Sequence, residues 1–189
     1  MLTGANESLT TFTTNTGAAA QCNSSNFQGS IIGAKEVDNV TIVPKYAECT
    51  FAGNPATVKV IDCAYVLDSD TVGTSPIEHA DADLECAEGG QIEIVTSACT
   101  LDVRAQTAIS QGITYTNIAN GDVTVSATLT EIKVAQKTGS AILCAFAGTT
   151  GVTTGTFKFE GKQFTSNSGT TTTPVYVDGA DVNIEVNNK

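Results

Sequence analysis

The chain has 189 residues, of which 41% are hydrophobic and 15% charged, a balance typical of globular rather than disordered proteins. Twenty acidic against nine basic residues give a net charge of −11, which argues against a nucleic-acid partner because the phosphate backbone would be repelled. No apolar run approaches the roughly 18 residues of a bilayer span, so no membrane insertion is expected.

Short β-branched segments separated by Gly, Asn, Asp or Pro recur along the first half of the chain. They lie at 30–37, 40–47, 57–67 and 91–95, and this alternation of strands and turns predicts a β-sheet. No segment has a clear helical period, and residues 74–87 are the best candidate for a helical turn. The expected fold class is all-β, an antiparallel β-sandwich or barrel-like domain.

Residues 113–134 carry the clearest hairpin signal. Asn120-Gly121 lies between two alternating segments and favours the type I′ turn of a two-residue hairpin loop. In the second segment, apolar residues occupy odd positions up to Leu129 and even positions from Ile132 onward. This change of phase predicts a β-bulge between 129 and 132, which would point both halves into the core.

The chain is predicted to have three parts. Residues 1–164 form a disulfide-stapled β domain, and residues 165–174 form a linker or long loop rich in Thr, Ser and Gly. Residues 175–189 form a C-terminal β segment that either pairs within the same domain or is donated to a neighbouring molecule.

Six cysteines form an even set without the C-x(2–4)-C spacing of zinc sites or the C-x-x-C of thioredoxin-type redox pairs. Disulfides are therefore expected, and with them a secreted or extracellular, cell-surface location. A hairpin turning near Asn54-Pro55 would pair Cys49 with Cys63, because opposed Cα atoms lie at a distance that a disulfide spans. Proximity pairs Cys86 with Cys99, and elimination leaves Cys22 with Cys144.

The densest acidic segment spans residues 68–88. Calcium prefers six to eight oxygen ligands, and the candidate ligands in this segment are Asp68, Asp70, Asp81 and Asp83. The EF-hand spacing is absent, and a solvated acidic loop is the alternative interpretation. Calcium is thus an optional ligand, and no other cofactor is expected.

Catalytic signals are weak throughout the sequence. The G-x-S-x-G pattern is absent, and His79, the one histidine, is interpreted as a loop residue rather than a general base. Glycoside hydrolysis by paired carboxylates usually adds aromatic platforms, but the chain has no Trp and four Tyr. The protein is not expected to be an enzyme.

Four segments carry a resemblance to a known group of proteins: 2–30, 49–67, 89–103 and 113–134. They resemble the successive blocks of a family of uncharacterised secreted, β-rich, six-cysteine proteins of soil actinobacteria of the Solirubrobacter type. The six cysteines fall in matching blocks. The resemblance implies export and a disulfide-stapled β fold, and it implies no activity.

Two functions follow as hypotheses from the sequence. The first is a non-enzymatic extracellular structural protein, a cell-surface component or a subunit of an appendage or filament that self-associates by β-strand addition. The alternative is a secreted module that binds a glycan or another small ligand, with calcium as an optional participant.

Overall fold

A computed structural model describes residues 1–29, 39–68, 77–80, 82–107, 109–118, 121–139, 144, 148–167 and 176–182. Within these ranges the chain forms β-strands and no helix, which confirms the all-β fold class. Accordingly, no helix in the described ranges is long and apolar enough to cross a membrane. The strands are β1 (Leu2–Asn6), β2 (Thr10–Thr14), β3 (Ala19–Gly29), β4 (Asn39–Phe51), β5 (Asn54–Asp68), β6 (Ile77–Ala80), β7 (Ala82–Val95), β8 (Thr100–Val103), β9 (Ser110–Ile118), β10 (Asp122–Lys133), β11 (Ala135–Thr138), β12 (Thr150–Asn167) and β13 (Tyr176–Val182).

All thirteen strands belong to one antiparallel sheet. Its main path runs β11-β8-β7-β5-β4-β3-β1-β12-β10-β9-β6. Strand β2 comes after β1 in the chain and, like β1, pairs with both β3 and β12. Strand β13 pairs with β12 and is not part of the main path. Strands β4, β5 and β7 contain the segments predicted at 40–47, 57–67 and 91–95, whereas the segment predicted at 30–37 lies outside the described residues.

The sheet folds back on itself around one hydrophobic core. The connection between β8 and β9 joins the two halves, since the backbone of Gln106 exchanges hydrogen bonds of 2.8 and 2.9 Å with Leu84 of β7. The side-chain amide of Gln106 also accepts from the backbone N–H of Lys133 in β10 at 2.7 Å and donates to its carbonyl at 3.0 Å. Leu84, Leu101 and Ile113, from β7, β8 and β9, are among the most buried side chains.

The predicted bulge and the predicted hairpin are both present. Strand β10 pairs Leu129 with Thr153 and Ile132 with Gly151, a register shift that leaves Leu129 and Ile132 both buried. Strands β9 and β10 form the hairpin, closed by the pair Ile118↔Asp122. The loop is one residue longer than expected, with a positive φ of 75° at Gly121, while Asn120 lies outside the described residues.

Two other local predictions are wrong. Residues 77–80 and 82–87 belong to strands β6 and β7, so the helical turn predicted in 74–87 does not form there. The hairpin of β4 and β5 turns at Ala52-Gly53, between the paired residues Phe51 and Asn54, rather than at Asn54-Pro55. Both turn residues have positive φ, 50° and 79°, as a two-residue type I′ turn requires.

Replacing Ala52 with Asn should stabilise the protein by about 1 kcal/mol. Alanine in the left-handed region carries a steric cost of roughly 1–2 kcal/mol that asparagine largely relieves, and Asn-Gly is the preferred type I′ pair. Urea unfolding measures the change. The matched control is Ala47→Asn at an exposed position of strand β4, where no gain is expected. Equal effects of the two substitutions would contradict the turn assignment.

Candidate assembly edge and polar cluster

All six cysteines form disulfides, as predicted, but all three predicted pairings are wrong. Cys22 of β3 bonds Cys49 of β4 with their Cα atoms 4.0 Å apart, and Cys63 of β5 bonds Cys86 of β7 at 4.1 Å. The third bond joins Cys99, just before β8, to Cys144, with a Cα separation of 5.5 Å. Three disulfides indicate an oxidising, extracellular type of environment.

The position of the β4–β5 turn explains the first wrong pairing. Because the chain turns at Ala52-Gly53, Cys49 lies opposite Ala56. Cys63 is then seven residues farther along β5, roughly 23 Å away at the rise of an extended strand. Its partner comes from the other neighbour of β5, where Cys63 and Cys86 are directly opposed.

The predicted calcium ligands are only partly described. Asp68 ends strand β5, and Asp83 lies on β7 opposite Val66, whereas Asp70 and Asp81 lie outside the described residues. A search of the described residues finds no group of three or more His, Cys, Asp or Glu that could hold a metal ion. Calcium binding stays a prediction. His79 lies on strand β6 rather than in a loop.

Residues 161–167 of β12 and strand β13 form a two-stranded ribbon, which we call the β12–β13 ribbon. Its register pairs Gly161 with Val182, Lys162 with Asp181 and Asn167 with Tyr176. On the opposite side of β12, pairing with β1 ends at Gly161↔Leu2. In the described part of the chain, β13 pairs with β12 alone, so the ribbon presents open backbone edges. The ribbon also includes the first three residues of the predicted 165–174 linker.

Strand β11, at one end of the main path, is a different kind of edge. It has four residues, all exposed, and its pairing with β8 shifts register between Gln136 and Thr138. Short length, irregular pairing and an edge lysine, here Lys137, are the features by which proteins protect edge strands from further pairing. The β12–β13 ribbon is therefore the better candidate for assembly.

Lys137 also belongs to a polar cluster on the outer face of the sheet, which we call the Lys137 cluster. Glu93 of β7 and Asp102 of β8 are directly opposed across the strands. The Nζ atom of Lys137 lies 2.5 Å from Oε1 of Glu93 and 4.0 Å from Oδ1 of Asp102. The side-chain amide of Gln91 donates to the same Glu93 oxygen at 2.7 Å, and Arg104 Nη2 lies 3.7 Å from Oδ2 of Asp102.

The three central groups of this cluster differ in how well they are stabilised. The hydrogen bond from Lys137 holds the pKa of Glu93 below its ordinary value, and the same bond raises the pKa of Lys137. Asp102 is only 3% exposed, and its Oδ1 is a buried atom without a hydrogen-bond partner. Sequence reasoning missed the cluster because 44 residues separate Glu93 from Lys137 along the chain.

A second lysine, Lys158, makes a comparable but more solvated cluster with Asp122 and Glu160, which we call the Lys158 cluster. Lys158 Nζ lies 2.8 Å from Oδ2 of Asp122 and 3.2 Å from Oε1 of Glu160. Hydrogen bonds to these two carboxylates raise the pKa of Lys158, and the bond to Asp122 has the larger effect. The side chains of Asp122 and Glu160 are 17% and 44% exposed, so water stabilises both charges. This is an ordinary surface ion-pair cluster.

A cavity of about 60 Å³ lies between the inner faces of the sheet. Its wall is mostly apolar, and Tyr46, Tyr65, Thr10 and Thr153 are among the residues that line it. Tyr46 and Tyr65 are hydrogen-bonded to each other, and burial raises the pKa of both phenols. Ligand pockets usually enclose about 300–1,000 Å³, so this cavity does not favour the hypothesis of a binding module.

Comparison with known proteins gives no relative: no family model, no curated protein and no solved structure matches the chain. The resemblance to secreted six-cysteine proteins therefore stays a prediction.

Proposed function

We propose that the protein is a non-enzymatic extracellular structural subunit, part of a cell surface or of a filamentous appendage, and that copies assemble through donation of β13. The observation that supports this is the isolation of β13, whose pairing in the described chain is with β12 alone. The three disulfides support the extracellular setting.

The energetics favour exchange of this strand between copies. A β13 donated to a second copy forms the same ladder with that copy's β12, so few contacts differ between the closed and the exchanged state. Eight residues, 168–175, separate Asn167 from Tyr176, and when extended they span up to roughly 30 Å. Donation in one direction from copy to copy is a head-to-tail contact, which produces rings or filaments.

A cysteine pair across the ribbon tests donation directly. Lys162 and Asp181 are opposed in the register, so Cα atoms at these positions are close enough for a disulfide. We expect a mixture of the single variants Lys162→Cys and Asp181→Cys to give a covalent mixed dimer. The matched control mixes Lys162→Cys with Asp178→Cys, because Asp178 is opposed to Phe164 instead.

The variant lacking residues 175–189 gives an independent result. Electron microscopy and light scattering of the intact chain should show assemblies that this deletion abolishes. Net charge of −11 per copy opposes association at low ionic strength, so assembly should increase as salt screens that charge. An intact chain that stays monomeric across these salt concentrations and forms no mixed disulfide dimer would overturn the proposal.

A further inference from the structure

The Lys137 cluster brings an amine and a carboxyl group together in a setting that favours a covalent bond. Three neighbouring strands, β7, β8 and β11, supply Glu93, Asp102 and Lys137, and Lys137 Nζ lies 2.5 Å from Oε1 of Glu93 and 4.0 Å from Oδ1 of Asp102. We propose that Lys137 and Asp102 condense into an intramolecular amide bond, with Glu93 carrying the protons. The bond would fix the edge strand β11 to β8.

Burial of Asp102 provides the reason for condensation. Its carboxylate is 3% exposed and its Oδ1 has no hydrogen-bond partner, an arrangement that is costly for an ionised group. An amide carries no charge and needs fewer hydrogen bonds, so the product relieves this cost. Groups held in contact by a fold react with effective molarities of roughly 10⁵–10⁸ M, which offsets the preference for hydrolysis in water.

The step balances without a further reactant. The Glu93 carboxylate accepts a proton from the Lys137 ammonium, and the freed Nζ attacks Cγ of Asp102. Glu93 transfers this proton, and then a second one from the nitrogen, to the departing Oδ1. One C–N bond forms, one C–O bond breaks and one water leaves, with no oxidation or reduction. Oδ2 remains as the amide oxygen, and Arg104, 3.7 Å away, offsets the negative charge that develops on it.

The charge state of the cluster sets the speed of this reaction. Glu93 raises the pKa of Lys137, so the neutral amine is scarce at neutral pH. Condensation is therefore a slow, single event after folding rather than a rapid one. The proton that leaves the ammonium is the one that Glu93 delivers to Oδ1, so the rate should fall once the pH is high enough to remove that proton to solvent.

The Lys158 cluster provides the matched control within the same chain. Its lysine lies 2.8 Å from Oδ2 of Asp122, nearer to the aspartate than Lys137 is to Asp102. Asp122 is more exposed than Asp102, and its carboxylate is hydrogen-bonded to Lys158. Between the two aspartates, proximity to a lysine alone would favour bond formation at Asp122, whereas burial of the carboxyl group favours it at Asp102.

Intact mass spectrometry of the oxidised, folded protein tests the proposal, after incubation at pH 7 and pH 9. We expect a mass lower by one water than that of the chain with three disulfides, and a tryptic peptide pair linked between Asp102 and Lys137. Lys137→Arg should restore the full mass, Glu93→Gln should slow the loss at least tenfold, and Lys158→Arg should leave it unchanged. The three disulfides, checked in each variant, report correct folding.

Two results would overturn the proposal. The first is the full mass in wild-type protein that has all three disulfides and has been incubated at both pH values. The second is a water loss that persists in Lys137→Arg. Because the bond lies within one chain, neither result depends on whether copies of the protein assemble through β13.

Discussion

Replacing both Cys22 and Cys49 with alanine should lower the free energy of unfolding by about 3.5 kcal/mol. The bond joins residues 27 apart, and the chain-entropy model assigns roughly this value to a closed loop of that length. Because domains are usually stable by only about 5–15 kcal/mol, the loss is a large fraction of the total. Urea unfolding of the wild type and the double variant, at one pH, measures the difference.

The single variant Cys49→Ala tests the pairing itself. Removing Cys49 should leave Cys22 as the free thiol, and alkylation without reduction should label Cys22 alone. The pairing inferred from the sequence would instead free Cys63. The double variant is the control, since it should take up no label. A label on Cys63 would contradict the register of β3 and β4 as well as the disulfide.

Local features of the sheet could be predicted because each depends on a few consecutive residues. The bulge between Leu129 and Ile132 is visible as a change of phase in one strand, and the β9–β10 hairpin as turn residues between two alternating segments. Alternation also indicated the all-β class. None of these predictions required knowledge of which strands are neighbours.

The disulfide map depends on register over long distances, and one unexpected turn changed it. Alanine rarely adopts the positive φ that Ala52 has, so the sequence favoured the Asn-Pro pair two residues later. Because the turn lies two residues earlier than predicted, Cys49 is opposite Ala56 and not Cys63. Strand order then decided the partners, because β5 has β7 as its second neighbour although β6 comes first along the chain. Local patterns do not encode that order.

The Lys137 cluster could not be predicted for a related reason. Glu93 lies in segment 91–95, which the sequence indicated as an ordinary strand, and in the sheet its side chain is nearly buried. The two charged partners that other strands bring to it, Asp102 and Lys137, come from β8 and β11, strands of four residues each. Both strands are too short to give a clear sequence signal. The cluster becomes visible only when these strands take their places in the sheet.

Above pH 10 the protein should lose stability steeply because of Tyr46 and Tyr65. Burial is the main cause that raises the pKa of each phenol above the ordinary value of 10.0, and for Tyr46 the neighbouring Tyr65 raises it further. Folded protein therefore keeps protons that the unfolded chain releases above pH 10. Stability is complete below that pH and falls as pH rises, by up to about 1.4 kcal/mol per pH unit for each tyrosine.

Phenylalanine variants separate this titration from packing. At pH 8, Tyr46→Phe leaves the Tyr65 hydroxyl without its partner and should cost about 1–3 kcal/mol. In the double variant Tyr46→Phe/Tyr65→Phe, the loss of stability at pH 8 should be less than the sum of the single losses, and most of the alkaline slope of stability against pH should disappear.

Phe12→Leu, in the wall of the same cavity, is the control: it should lower stability equally at pH 8 and pH 11. Urea unfolding at each pH and tyrosinate absorbance provide the measurements. Ionisation of all four tyrosines near pH 10 in protein that stays folded would contradict the burial of this pair.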